Sequence, residues 1–195
     1  KSTYVDTLAF GAHKREVFSE IGGYDEEMIY NQDDEFNFRA IQAGKKIWMD
    51  PSIKIKYYAR SSFRKLFIQY FNYGYYKVRS IQKRRKIISL HHLIPAAFVI
   101  SLIGTAISGY FLQLPWLSFS VISLYLIINI ISSMLVSENI SQIPLIFLSF
   151  WTLHIGYGLG FIWGLIRFLD KWGDSSLKDE HFNREQFIAN RRVSA

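Results

Sequence analysis

The chain has 195 residues, a formal net charge of +7 and no cysteine, and 50% of its residues are hydrophobic. The lack of cysteine excludes disulfides, thiolate catalysis and cysteine-based zinc sites. From Ile87 to Ile166 the only charged side chain is Glu138, which excludes a soluble domain of this size and predicts an integral membrane protein with a water-facing N-terminal part.

The first 60 residues mix charged and apolar side chains and predict a small α/β unit. The expected elements are a strand at 4–10, a helix at 14–21, a second helix beginning near residue 32, and strands at 46–49 and 53–58. The first helix should stop at Gly22-Gly23, because glycine readily adopts the left-handed turn found at helix ends. This order is compatible with one half of an α/β domain and contains too little sheet for a complete one.

An acidic run, Gln32-Asp33-Asp34-Glu35, opens the second predicted helix, which should stop at Gly44. Carboxylates are favourable in a first helical turn, where the unpaired N–H groups and the helix dipole are positive. By itself the run is compatible with a merely solvated helix start. The sequence on both sides makes it a candidate site.

Residues 61–86 are predicted to form amphipathic helices at the membrane interface. Every charged residue between Lys54 and Lys86 is Lys or Arg. An apolar stripe at helical spacing runs beside these charges and consists of Phe63, Leu66, Phe67, Tyr70 and Phe71. Such a segment next to membrane spans is expected to contact anionic lipid headgroups. Nucleic-acid binding is not expected, because the spans already account for the basic charge.

Three membrane spans are predicted at 88–112, 116–136 and 144–168, each long enough to cross about 30 Å of hydrocarbon. The third carries Gly156, Gly160 and Gly164 on one ridge, which predicts close helix packing within the chain rather than dimerisation. A polar tail follows at 170–195. The predicted organisation is therefore 1–60, 61–86, 87–169 and 170–195.

The dense basic run at 77–86 predicts that the N-terminal part lies on the cytoplasmic side of the membrane. Three crossings would place the tail on the opposite side, although its flank is also basic. Either the first span is re-entrant or interfacial, or the tail crosses despite its charge. Both topologies remain open at this point.

Two motifs in this order carry a resemblance to a known family. They are Gly22-Gly23-Tyr24-Asp25-Glu26 and Gln32-Asp33-Asp34-Glu35-Phe36-x-x-Arg39, followed by Gly44, Lys46-Ile47 and Pro51. Together they resemble the C-terminal half of the catalytic domain in inverting, GT-A type family 2 glycosyltransferases. That family usually has Phe at the position of Tyr24 and Glu at that of Gln32.

The following stretch is similar to membrane-bound exopolysaccharide glycosyltransferases of the succinoglycan-biosynthesis type. It comprises Tyr57-Tyr58-Ala59-Arg60-Ser61-Ser62-Phe63, Leu66, Gln69-Tyr70-Phe71 and Tyr73-Gly74. The resemblance implies a partial GT-A domain of the α/β class, then amphipathic interfacial helices and an α-helical transmembrane region. Because Asn72 and Tyr73 replace the Arg and Trp of processive synthases, strong processivity is not expected.

The resemblance also implies roles for individual residues. Asp33 matches the general base that deprotonates the acceptor hydroxyl, and Asp34 is the fallback for that role, with Glu35 expected near the same helix mouth. Substrate contacts are expected from Gln32, Asp34, His13, Arg60 and Gln69.

The implied partners are a nucleotide-sugar donor, a lipid-linked or glycan acceptor, and membrane lipids, at the cytoplasmic face of a multi-pass protein of the cell membrane. A divalent metal, Mg or Mn, is expected with its main ligands outside this chain. The chain should then be inactive as an isolated fragment. The alternative is a non-catalytic membrane anchor or transport-associated protein with a basic cytoplasmic face.

Overall fold

The computed structural model describes residues 2–84 and 90–173, and within them the chain is mostly helical. The elements are β1 (Thr3–Val5), α1 (Arg15–Ile21), α2 (Gln32–Gln42), β2 (Ile47–Met49), α3 (Phe63–Arg84), α4 (Ile94–Phe111), α5 (Trp116–Val136) and α6 (Ile143–Arg167). Short 3-10 turns occur at Leu90–Leu93, Ile140–Gln142 and Leu169–Lys171. The chain divides into two compact units.

The first unit consists of residues 2–57, 76–84 and 168–173. Its sheet has two short antiparallel strands, with Thr3 opposite Met49 and Val5 opposite Ile47. The two predicted helices are present as α1 and α2. Both predicted glycine stops adopt positive φ, 82° at Gly22 and 75° at Gly44, a conformation that glycine reaches without steric cost.

The predicted strand at 53–58 is wrong, and the first strand is shorter than expected. Residues 53–60 have no strand assignment, and their side chains are exposed. A turn at Asp50 precedes them, in which Asp50 accepts the Ser52 N–H at 2.9 Å and its carbonyl accepts the Ile53 N–H at 3.2 Å. Alternating side chains form a strand only where a neighbouring strand pairs with them, and the two-stranded sheet described here provides none.

An aromatic cluster forms the centre of the first unit. Phe36 of α2 is fully buried, and its ring lies 4.7 Å from His13, 5.0 Å from Phe18 and 4.8 Å from Tyr24. These rings join α1, the loop before it and the loop after it to one face of α2. The cluster therefore fixes where α2 begins relative to both loops.

The second unit consists of residues 58–75 and 90–167. Helices α4, α5 and α6 are each long and apolar enough to cross a membrane, which confirms the three predicted apolar segments. Helix α4 starts at Ile94, later than the predicted span. Residues 85–89 and 174–195, including most of the predicted tail, lie outside the described residues.

Glycines let helices of the second unit approach closely. A Cβ at Gly160 would lie 1.9 Å from the Phe71 carbonyl oxygen of α3, and one at Gly74 would lie 2.1 Å from the Tyr157 carbonyl oxygen of α6. At Gly158 the corresponding atom is the Pro95 carbonyl oxygen of α4, at 2.5 Å. The glycines of α6 thus pack against helices of the same chain, as predicted.

Candidate active site

The candidate site is built at the entrance of α2. Asn31 has a left-handed backbone, with φ 62° and ψ 19°, a conformation that asparagine tolerates better than most residues. The chain then turns into α2, whose first turn carries Asp33, Asp34 and Glu35. The Asp34 N–H donates to Asp33 Oδ1 at 2.8 Å, which satisfies one of the N–H groups left unpaired at a helix start.

Glu35 is buried and forms a two-pronged ion pair with Arg39. Arg39 Nε lies 2.8 Å from Oε1 and Nη2 lies 3.0 Å from Oε2 of the carboxylate. The same guanidinium donates to the carbonyl oxygens of Ile21 and, at 2.6 Å, Gly23. Glu35 does not line the helix mouth, contrary to the sequence-based expectation, because Arg39 holds it inside, against the end of α1.

Asp34 is paired with a cation from α3. Lys77 Nζ lies 2.8 Å from Asp34 Oδ2, and both side chains are largely buried. Next to this contact, the rings of Tyr30 and Tyr76 stack with centroids 5.8 Å apart. Helix α3 therefore contacts the entrance of α2 on both sides of Asn31, through an ion pair and an aromatic pair.

Asp33 differs from its two acidic neighbours, because no Lys, Arg or His forms an ion pair with it among residues 2–84 and 90–173. Its side chain is partly exposed. Burial, and secondarily the negative charge of Asp33, raise the pKa of Tyr24, so the Asp33 carboxylate acts electrostatically on that phenol. A carboxylate without a cationic partner keeps its lone pairs available to accept a proton.

A second ion-pair group lies in the loop before α2. Glu27 accepts from Arg79 at 2.8 and 3.1 Å and from Lys171 at 2.6 Å, and Lys83 pairs with both Asp25 and Glu27. These bonds, the largest effect coming from Arg79, hold the pKa of Glu27 well below its usual range.

The prediction that these α3 cations contact lipid headgroups is wrong for Lys77, Arg79 and Lys83. All three are buried in the structure and paired with acidic side chains of the first unit. The opposite charges at residues 25, 27 and 34 were the available signal for this pairing. Arg85 and Lys86, also part of the predicted basic run, lie outside the described residues.

His13 precedes α1 in the chain, and Gln32 is the first residue of α2. His13 packs edge-on against Phe36, and burial lowers its pKa, which favours a neutral ring at pH 7. The loop before it is held by buried Asn37, which donates to Thr7 Oγ1 at 3.2 Å and to the Leu8 carbonyl at 3.0 Å. Gln32 is exposed, and substrate contact by either residue stays a prediction.

Arg60 and Gln69 belong to the second unit and contact each other. Arg60 Nε donates to Gln69 Oε1 at 2.9 Å, and Gln69 Nε2 donates to the Tyr73 hydroxyl at 2.8 Å. Gln69 is buried, whereas Arg60 is exposed. Their role as substrate contacts also stays a prediction.

The described residues do not fit a metal centre, because no group of three His, Asp or Glu side chains among them could hold an ion. Two of the three acids at the α2 entrance are already paired with cations. The divalent metal is expected to have its main ligands outside this chain, so its presence stays a prediction.

Two curated relatives are similar to part of the chain. The succinoglycan biosynthesis protein ExoA of Rhizobium meliloti (strain 1021) is 38% identical over 82 residues, which cover 42% of this chain and 25% of that protein. A Methanococcus voltae enzyme, dolichyl N-acetyl-alpha-D-glucosaminyl phosphate 3-beta-D-2,3-diacetamido-2,3-dideoxy-beta-D-glucuronosyltransferase, is 29% identical over 107 residues, covering 54% and 33%. The aligned regions thus span a quarter to a third of these relatives. No family model and no solved structure matches.

Proposed function

We propose that this chain, which these relatives identify over part of its length as similar to family 2-like glycosyltransferases, is the acceptor-activating and membrane-embedded part of such an enzyme. The reaction is transfer of a sugar from a nucleotide-sugar donor to a lipid-linked or polysaccharide acceptor, with inversion. The donor would be bound mainly by residues outside this chain. A polymer acceptor fits the name of the first relative and a lipid-linked acceptor fits that of the second.

The observation that carries this proposal is that three consecutive acids differ in their cationic partners. Arg39 neutralises Glu35 and Lys77 neutralises Asp34, whereas Asp33 has no cationic partner among the described residues. A general base must not be held in an ion pair with a neighbouring cation. Among the described residues, Asp33 is the acid of the three that meets this condition, and it matches the position of the base in the resembling motif.

The chemistry that Asp33 would perform is a single proton transfer. A sugar hydroxyl is a poor nucleophile until its proton is removed, and a carboxylate within hydrogen-bond reach accepts that proton as the glycosidic bond forms. The oxygen attacks the anomeric carbon opposite the nucleoside diphosphate, which leaves with the bonding pair. One in-line displacement of this kind inverts the configuration.

Two further residues of the first unit would contact substrate around this centre. Gln32 is exposed one residue before Asp33 and can hydrogen-bond the acceptor, and His13 offers a ring on the aromatic side of the entrance. We assign Arg60 and Gln69, which are linked to each other, to acceptor or diphosphate binding. Asp34 serves the site through its ion pair with Lys77.

The membrane-spanning helices explain why the acceptor would be membrane-bound. The three apolar helices can anchor the chain in a bilayer, and Arg64 and Lys65 at the exposed start of α3 can contact anionic headgroups. We assign the acidic site to the cytoplasmic face of the cell membrane, where nucleotide sugars are available to it.

The test is Asp33→Asn in the complete protein, assayed in native membranes with a panel of tritiated UDP-, GDP- and dTDP-sugars. Label is counted in the lipid extract and in the insoluble polymer. Loss of the base should lower kcat by about 10²- to 10⁴-fold with little change in donor KM. Asp33→Glu should retain part of the activity, because it keeps the carboxylate.

Glu26→Gln is the matched control, since Glu26 is an exposed acid in the loop before α2; it should transfer at the wild-type rate. Wild-type turnover in Asp33→Asn would remove the base assignment. If the unaltered protein transfers no sugar from any donor yet is inserted in the membrane, the non-catalytic anchor is the better reading.

A further inference from the structure

We infer that Lys77 is a positioning residue of the site: by pairing with Asp34 it holds the α2 entrance and cancels the charge next to the base. This rests on the proposed function. The inference assigns to one basic residue of α3 a task in catalysis in place of contact with lipid.

The ion pair between Lys77 and Asp34 is close and largely buried. Lys77 Nζ and Asp34 Oδ2 are 2.8 Å apart, and the exposed fractions of the two side chains are 11% and 19%. Removing a lysine ammonium from water is unfavourable unless a paired charge compensates it. Asp34 is that compensating charge, so the pair should hold one geometry rather than exchange with solvent.

The entrance of α2 needs such support because of its backbone. Asn31 adopts a left-handed conformation, which asparagine tolerates better than most residues but which still costs free energy that surrounding contacts have to offset. The Tyr30–Tyr76 stack precedes Asn31 and the Lys77–Asp34 pair follows it. Consecutive residues of α3 therefore hold the turn from both ends, and Asp33 lies between the two contacts in the chain.

The charge of Lys77 matters as much as its position. Among the described residues, the titratable or charged groups at the α2 entrance include Lys77 from α3, Tyr24 from the preceding loop, and Glu35 with Arg39 on α2 itself. Arg39 is paired with Glu35, and Lys77 is a cation that offsets Asp34. Removing the charge of Lys77 would make the surroundings of the entrance more negative, which is unfavourable for two adjacent carboxylates.

The test is the pH profile of kcat/KM for sugar transfer by Lys77→Met in the complete protein in native membranes. The acid limb should move to higher pH by roughly one unit, the size expected for two partly exposed charges several ångströms apart. Transfer on that limb should then fall about tenfold. Lys77→Arg, which keeps the charge, should leave the limb within about 0.3 unit of its wild-type position.

The double variant Lys77→Met/Asp34→Asn removes both charges. The acid limb of its kcat/KM profile should return to the wild-type position, even if its maximal rate of transfer is lower. This double variant also serves if Lys77→Met alone does not accumulate in membranes. Lys83→Met is the matched control: it breaks a buried pair of the same helix, with Asp25, and should not move the limb.

An unmoved limb in Lys77→Met, or a double variant whose limb stays displaced, would overturn the inference, as would an equal displacement in Lys83→Met. Each of these three results leaves the transferase assignment standing, because the unaltered protein still transfers sugar. Absence of transfer by the unaltered protein would instead contradict the proposed function.

Discussion

At the scale of single residues, neighbouring acids acquire different roles from their surroundings. Glu35 is inside the protein, Asp34 is at its edge beside Lys77, and Asp33 lies partly exposed at the entrance. All three are equally favourable to the helix dipole, so dipole energy alone cannot distinguish them. Their surroundings distinguish them: Arg39 pairs with Glu35, Lys77 pairs with Asp34, and no cation among the described residues pairs with Asp33.

The buried Glu35–Arg39 pair should be essential for stability rather than for chemistry. We expect Arg39→Ala to lower the free energy of unfolding by about 3–5 kcal/mol, because it leaves a carboxylate without compensation inside the protein. The two carbonyl oxygens that Arg39 now bonds, on Ile21 and Gly23, would lose their donor as well. Thermal unfolding in detergent, followed by tryptophan fluorescence, measures the change.

The matched control is the exposed pair of Lys45 with Glu20. Lys45→Ala should cost about 1 kcal/mol or less, as surface ion pairs generally do. Replacing both Glu35 and Arg39 by Met should recover much of the loss, because no unpaired charge then remains. Equal melting temperatures for Arg39→Ala and Lys45→Ala would contradict the stabilising role of the Glu35–Arg39 pair.

At the scale of elements, α3 departs most from its sequence-based interpretation. Its exposed start, with Arg64 and Lys65, agrees with an interfacial helix. Its last turns instead carry buried Lys77, Arg79 and Lys83. A helical wheel gives positions around an axis but does not show whether lipid or an acidic loop covers a basic face.

The close contact between α3 and α6 gives a prediction at this scale. Gly160→Ala would place a methyl group 1.9 Å from the Phe71 carbonyl oxygen, so one of the two helices has to shift. We expect a loss of about 1–3 kcal/mol, as for other overpacked sites, visible as a lower melting temperature in detergent.

Gly104→Ala on α4 is the corresponding control, because nothing lies within 4 Å of a Cβ at that glycine. It should be neutral or slightly stabilising, since alanine is the better helix former. An unchanged melting temperature for Gly160→Ala would show that this close contact is absent from the protein in detergent.

At the scale of the whole molecule, the open question is how many helices cross the membrane. If α4, α5 and α6 all cross, consecutive loops lie on alternating sides. Because the chain has no cysteine, single cysteines can report each loop with a membrane-impermeant maleimide. For a cytoplasmic N-terminal part, Leu114→Cys should react in intact cells, whereas Ser19→Cys and Glu138→Cys should react only after permeabilisation.

A re-entrant first span would reverse the result for two positions. Leu114→Cys would then be protected and Glu138→Cys labelled from outside, because α5 would be the first helix to cross. Labelling of Ser19→Cys in intact cells would contradict the cytoplasmic assignment itself. All three positions are exposed in the structure, so protection would report the membrane rather than burial.

Much of the local structure could be predicted from the chain itself. The starts and glycine stops of α1 and α2, and the three long apolar helices, depend on residues within a few turns of one another. The strand expected at 53–58 could not be excluded in this way, because a strand depends on a partner elsewhere in the chain.

The sequence by itself determined the apolar helices, the acid-rich start of α2 and the resemblance to family 2-like glycosyltransferases. Only the tertiary structure decided which of the three acids has no cationic partner among the described residues, since Asp34 meets Lys77 across 43 residues and Glu27 meets Arg79 across 52. Ion pairs between distant residues leave no periodic signal, because their geometry depends on how helices pack. The motif thus predicted the candidate base Asp33, but it did not predict that Lys77 pairs with Asp34 or that Arg39 pairs with Glu35.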